Sequence, residues 1–244
     1  MDALPLFVLP MVLMPGEIQE LRVFEPRYRQ MLDDCLLDEK NFGLVMNDPF
    51  QPVNGWDGPR QHGCEVEILH HETKGSNHFL QIIGRRRFTV LNIAKPALPP
   101  FSDPMFEPHV GEEGLLPDLQ TLFELIPENV ESSKLYISAK VEFHAQEEQM
   151  NEDQQDLLKN ILDHVLHRIG TVLRIEEDIL MQWVKERVDY SISEDPNSVY
   201  AVSALVVNEL ESKQQILACS TLEEAVEELL HHVEMIQELS LIHI

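Results

Sequence analysis

The 244-residue chain has little cysteine, little positive charge, few aromatic residues and no long unbroken hydrophobic run. Its three cysteines, Cys35, Cys64 and Cys219, are scattered and form no CxxC pair, which excludes a disulfide framework. A reducing, cytoplasmic compartment is expected from that usage. Lysine and arginine number 18 against 43 aspartates and glutamates, a net charge of −25. The shortage is uneven, with ten basic residues against 13 acidic ones up to Lys95 and eight against 30 from Pro96 onward. A strongly anionic back part repels phosphate backbones, so nucleic acid is not the expected partner there. Aromatic residues make up 7% of the chain, and no run of them is interleaved with basic residues as stacking readers of single strands require. The apolar opening LPLFVLPMVLMPG (4–16) is interrupted by Pro5, Pro10 and Pro15, and Asp2 is the only charge before it. It therefore lacks the basic lead of a signal peptide and the roughly 20 apolar residues of a membrane span. Prolines so spaced suit a bent edge strand, and no membrane association is expected.

What is present is ordinary globular content, 43% hydrophobic and 25% charged, enough for one large domain or two small ones. IQELRVFE reads as a strand, and Glu25-Pro26 then opens a helix whose Tyr28, Met31, Leu32, Cys35 and Leu36 follow helical spacing. FGLVM (42–46) is a short strand. Residues 47–63 are rich in turn formers and are predicted to be a loop. CEVEILHHE, HFLQIIG and RRFTVLNIA read as strands, the first two joined through Lys74-Gly75-Ser76-Asn77. Residues 95–133 contain seven of the chain's 15 prolines and admit at most a short helix within LLPDLQTLFELI. LYISAKVEF (135–143) alternates as a strand with one buried side. Helices are predicted over about 152–169, 175–188, 197–210 and 221–237, the last capped by Ser220 or Thr221. The final LSLIHI (239–244) can be written CTG TCT CTT ATA CAC ATC, like a transposase mosaic-end adapter. Those residues are read as a sequencing artefact and excluded, which leaves the true C-terminus open.

Three stretches resemble the LON substrate-binding domain, the N-terminal module of Lon protease that also occurs free-standing. They are LPLFVLPMVLMPG, LRVFEPRYRQMLDDCL with Phe24, Glu25, Arg27 and Tyr28, and GCEVEI followed by IGRRRFTVL with Gly84, Arg87 and Phe88. KLYISAKVEF fits the next strand, and SVYAVSALVVNELESKQQILACSTLEEAVEELL fits the closing helices. The FEPRYR form is that of free-standing members. The resemblance implies an α+β fold, a PUA-like β pseudo-barrel with one early helix followed by a C-terminal helical bundle. It divides the chain at 1–147 and 148–238, with residues 95–133 longer than the family's usual connection and so expected to be an insertion. The last helix lacks the arginine often found near Ala225-Val226.

Of the chemistry-bearing patterns, none carries an enzyme. There is no GxxxxGK[ST] loop, no GxSxG and no carboxylate pair spaced to face one cleft. Nor is the Lon protease's serine–lysine dyad found. His62, Cys64, His70, His71 and His78 invite a zinc reading, yet His70 and His71 point to opposite faces of a strand and Cys64 continues a core alternation. No metal and no cofactor are expected, and His164 and His167 are read as solvent-facing. Arg85, Arg86 and Arg87 form the only basic cluster, which strand alternation should split. The expectation is that Arg87 pairs with a carboxylate such as Glu25 while Arg85 or Arg86 is solvated. At the strand-to-helix junction, Phe24 and Tyr28 should anchor the helix while Glu25 and Arg27 satisfy backbone or each other.

The functional lead is aromatic and apolar residues in irregular segments: Phe50 and Trp56 in the 47–63 loop, and Phe101, Met105 and Phe106 in the proline-rich insertion. Displayed from a rigid scaffold, they would make a peptide-binding patch; tucked back, they would cover an open side of the barrel. The resemblance implies a non-catalytic module that recognises unfolded or degradation-marked polypeptide, acting as an adaptor in protein quality control with a protease as partner. RNA binding through the barrel is the alternative from another class.

Overall fold

The first strand is apolar throughout because both of its faces are buried. In the computed structural model, which describes residues 3–109, 116–130, 132–145 and 149–241, β1 (Leu4–Leu9) sends Phe7 into one core and Leu6 and Val8 into another. Such a strand reads as a continuous apolar run. After it come β2 (Ile18–Val23), α1 (Pro26–Leu37), β3 (Phe42–Val53), β4 (Trp56–Lys74) and β5 (Asn77–Ala94). A short 3-10 turn (Pro104–His109), α2 (Leu119–Glu124) and β6 (Ser138–Phe143) complete the first unit.

The six strands run in the order β2-β5-β4-β3-β1-β6, and β6 also pairs with β5, which closes five of them into a ring. The 18-residue β5 serves both parts. Its first half, His78–Ile83, pairs with β2, and its second half, Phe88–Ala94, pairs with β6. All pairings are antiparallel except β1 with β3. Phe88 fills the ring interior with Leu6, Val8, Val45, Ile137 and Ala139. Glycine is required beside it, since a Cβ at Gly43 or Gly63 would lie 2.6 or 2.7 Å from the Phe88 ring. The other core packs α1 against the sheet through Tyr28, Met31, Leu32 and Cys35.

The expected loop at 47–63 is a β-hairpin. Val53 and Trp56 pair across Asn54 (φ 49°) and Gly55 (φ 82°), the two positive-φ residues of a type I′ turn. An Asn-Gly pair carries that conformation cheaply, and it outweighs the prolines, which sit where β3 and β4 are irregularly registered. The expected strand 135–143 begins only at Ser138; Leu135 and Tyr136 precede it and are buried in different cores. Residues 95–133 contribute to a core of their own, with Ala97, Leu98, Phe106 and Leu122 packed together with Leu135.

The chain divides by contacts into two units, residues 1–13 with 18–143 and residues 14–17 with 144–244. The second is helical: α3 (Glu152–Val172), α4 (Glu177–Ser191), α5 (Asn197–Val206), α6 (Leu210–Ala218) and α7 (Leu222–Leu241). Asn151 and Gln154 form a reciprocal capping box at α3. Thr221 accepts from the Glu224 amide at 3.2 Å while the Glu224 carboxylate accepts from the amides of Ser220 and Thr221, which starts α7. The predicted helix 197–210 stops at Val206, and Leu210 begins a separate helix. Of the suspected artefact, residues 242–244 lie outside the described residues.

Candidate functional site

The aromatic side chains proposed to capture peptide are for the most part a structural seam of the first unit. Phe106 is fully buried. Phe101 packs edge-on between it and Trp56, with ring centroids 5.4 and 5.2 Å away, and Met105 packs against the same core. The Trp56 indole N–H donates to the Leu98 carbonyl at 2.9 Å, and Asn54 donates to that of Pro96 at 3.0 Å. The β3–β4 hairpin therefore holds the start of the proline-rich segment in place. Phe50 alone of the five stands clear, 90% exposed on β3 rather than in a loop.

The strand-to-helix signature divides in the same way. Tyr28 anchors α1: it is buried, its ring lies 4.2 Å from that of Phe7, and its hydroxyl donates to the Val8 carbonyl at 2.7 Å. Burial pushes that phenol well above its ordinary pKa. Arg27 meets Glu25 at 2.9 Å, and its guanidinium also lies 3.7 Å from the Trp56 ring centroid and 4.2 Å from that of Tyr28. Phe24, expected to anchor the helix, is instead 59% exposed, because β2 ends at Val23 and the chain turns before Pro26.

Strand alternation misplaces the arginines. Cys64 pairs with Arg87 but Val66 with Gly84, so β5 carries an extra residue there. That bulge turns both Arg85 and Arg86 outward and buries Arg87. Both outward arginines are exposed to solvent, as expected of one of them, and each is also paired: Arg85 Nε meets Glu67 at 2.7 Å, and Arg86 grips Glu65 through Nε and Nη2 at 2.7 and 3.0 Å. Arg86 also lies over the Phe143 ring. Glutamates of β4 thus occupy two of the three cations an RNA reading needs.

The histidines behave differently from expectation. His70 and His71 do face opposite ways, but His71 Nε2 reaches Nδ1 of His78, across the hairpin, at 3.0 Å. Burial lowers the His78 pKa, and the charges of Arg29 and His71 lower it further against the pull of Asp33.

Exposed large apolar side chains occur on both units, and on the helical unit some of them border a groove. Val165, Ile169, Val172 and Leu173 of α3 and its C-cap, Leu205 and Val206 of α5, and Val233 of α7 line a groove of about 300 Å³ with His164, Arg168 and Asn208. Val172 is 75% exposed and Leu173 66%. On α4, Leu180, Val184 and Val188 face inward, yet Ile179, Trp183 and Tyr190 are exposed. The signal for this was in the sequence: EDILMQWVKERVDYS is apolar on more of its circumference than a one-sided helix needs.

The profile of the ATP-dependent protease La (LON) substrate-binding domain matches residues 3–235. The chain belongs to the LON substrate-binding domain family. Comparison of this LON domain chain with curated proteins returns no match. Among solved structures it is similar to a Lon N-terminal domain protein from Xanthomonas campestris, at 19% identity and a TM-score of 0.55, covering 95% of this chain and 98% of that one. It is also similar to the N-terminal domain of Mycobacterium avium complex Lon protease, at 13% identity and a TM-score of 0.59, covering 96% and 98%. At those identities the likeness establishes the fold of the LON domain: a mixed sheet closing into a partial ring, with helices at the C-terminus.

Proposed function

We propose that this protein captures unfolded or degradation-marked polypeptide without transforming it, through apolar surface on its helical unit, as an adaptor in protein quality control that works with a protease. The single observation that carries the reading is the α3–α5–α7 groove, lined mostly by apolar side chains together with the exposed Arg168. A side chain from an extended or helical segment can bury itself there, and the arginine can meet a carboxylate or backbone carbonyl of that segment. Family membership supports the substrate-binding part of the reading. Among the described residues no helix is long and apolar enough to cross a membrane. Phe50 and Phe24 extend the apolar surface available on the first unit.

The test is capture of a permanently unfolded model polypeptide by the full chain, measured by fluorescence anisotropy. Val172→Asp and Leu173→Asp place charge at exposed groove positions, so the melting temperature should hold while affinity falls about tenfold or more for each, since a buried apolar contact of this size contributes about 1.5–3 kcal/mol. Unchanged capture by both variants would overturn the assignment to the groove.

A further inference from the structure

We propose that His71, Thr73 and His78 form a binding site for one divalent transition-metal ion of the copper–nickel–zinc class, at the closed end of the β4–β5 hairpin. His71 and Thr73 are two residues apart on β4 and so share a face, and Thr73 pairs directly with His78 on β5. Their donor atoms form a nearly equilateral triangle: His71 Nε2 to His78 Nδ1 at 3.0 Å, Thr73 Oγ1 to His78 Nδ1 at 3.2 Å, and Thr73 Oγ1 to His71 Nε2 at 3.3 Å. Donors about 2.1 Å from a metal and cis to one another lie about 3 Å apart, so the triangle has the size of one face of a tetragonal or octahedral site.

Imidazole pairs suit copper, nickel and zinc rather than magnesium or calcium, and the remaining positions would be filled by water. Among the described residues no three histidines, cysteines or carboxylates converge, so the third protein donor is a hydroxyl. In the absence of metal, one imidazole N–H donates to the other ring, whose plane lies 18° from parallel. Loading replaces that hydrogen bond: the donating imidazole moves its proton to its other ring nitrogen through solvent, the half-buried His71 turns about its side-chain torsion, and both facing nitrogens present lone pairs to the ion. His78 is held by burial, which leaves one ligand fixed and the other adjustable. The carboxylate of Asp33, whose charge is felt at His78, offsets part of the ion's charge, while Arg29 opposes it.

The experiment titrates Cu(II) into the full chain, with electron paramagnetic resonance as the site readout. A tetragonal signal split by two nitrogens, saturating at one equivalent, is expected in the unaltered protein. It should disappear in His71→Ala and in His78→Ala, and Thr73→Val should bind about tenfold more weakly, the scale of a lost supporting group. His164→Ala/His167→Ala on α3 should keep it. Should buried His78→Ala fail to fold, as circular dichroism would show, His71→Ala at the more accessible position decides alone. The same nitrogen signal and stoichiometry in folded His71→Ala, or no such signal in the unaltered chain, would overturn the proposal.

Discussion

The Tyr28 hydroxyl donates to the carbonyl of Val8, 20 residues earlier, and in doing so fixes where α1 crosses β1. Tyr28→Phe keeps the ring packed on Phe7 and removes only that bond, which should cost about 1 kcal/mol in urea unfolding with an unchanged denaturant slope. Glu65 supplies a residue-scale test in pH. Burial alone would raise its pKa, but the side-chain donors of Arg86 and Asn41 outweigh burial and hold it below the ordinary value of 4.5. The folded carboxylate therefore takes its proton at lower pH than the unfolded one. Its contribution is complete above the ordinary value and disappears as pH falls through the depressed one. Between about pH 6 and about pH 3 the melting temperature of the unaltered chain should drop more than that of Glu65→Gln, which has no such proton to bind. Equal slopes would mean that the Arg86 grip contributes nothing to pH dependence.

At the scale of elements, the β3–β4 hairpin joins the barrel, α1 and the proline-rich segment through one turn. Gly55 sits at φ 82°, and a Cβ there would lie 2.9 Å from the Pro100 ring. Gly55→Ala should therefore destabilise by about 1–2 kcal/mol from backbone strain alone. Trp56→Ala removes the Arg27 stack, the bond to Leu98 and the Phe101 contact together, and should cost about 3 kcal/mol in thermal or urea unfolding. An unaltered melting temperature for Trp56→Ala would show that the seam is not structural. These two elements also mark where the sequence could and could not be read. Alternation locates β2, helical spacing locates α1 and turn residues locate the hairpin at Gly75, whereas β1, apolar on both faces, reads from its prolines as an edge strand although it pairs with both β3 and β6. The 47–63 hairpin was obscured by Pro49, Pro52 and Pro59, whose fit depends on irregular register that only the partner strand reveals. The bulge beside Gly84 is likewise invisible in a single strand, since it is a mismatch between two, and it moved Arg86 to the same side as Arg85. Aromatic residues between prolines look like displayed side chains until the core that receives Phe106 is known, and the groove between α3, α5 and α7 joins residues about 70 positions apart that no local pattern connects.

For the whole molecule, a net charge of −25 on 244 residues sets which polypeptides reach any apolar site on it. The field attracts cationic chains at long range and repels anionic ones, and it acts on encounter more than on the final contact. Ions shorten the reach of that field to about 10 Å at 0.1 M, so the effect is strongest in dilute salt. Apolar burial in the α3–α5–α7 groove does not weaken in the same way, because it depends on water released rather than on charge. Two unfolded probes of equal hydrophobicity, one basic and one acidic, should therefore associate at very different rates in low salt. Those rates should converge as salt is raised, while the dissociation rates stay similar to each other. Stopped-flow mixing across a salt series reads both quantities. Association rates independent of salt for both probes would show that the acidic surface has no part in capture. A steep loss of equilibrium affinity for both would place the binding energy in charge contacts and remove the groove from the account.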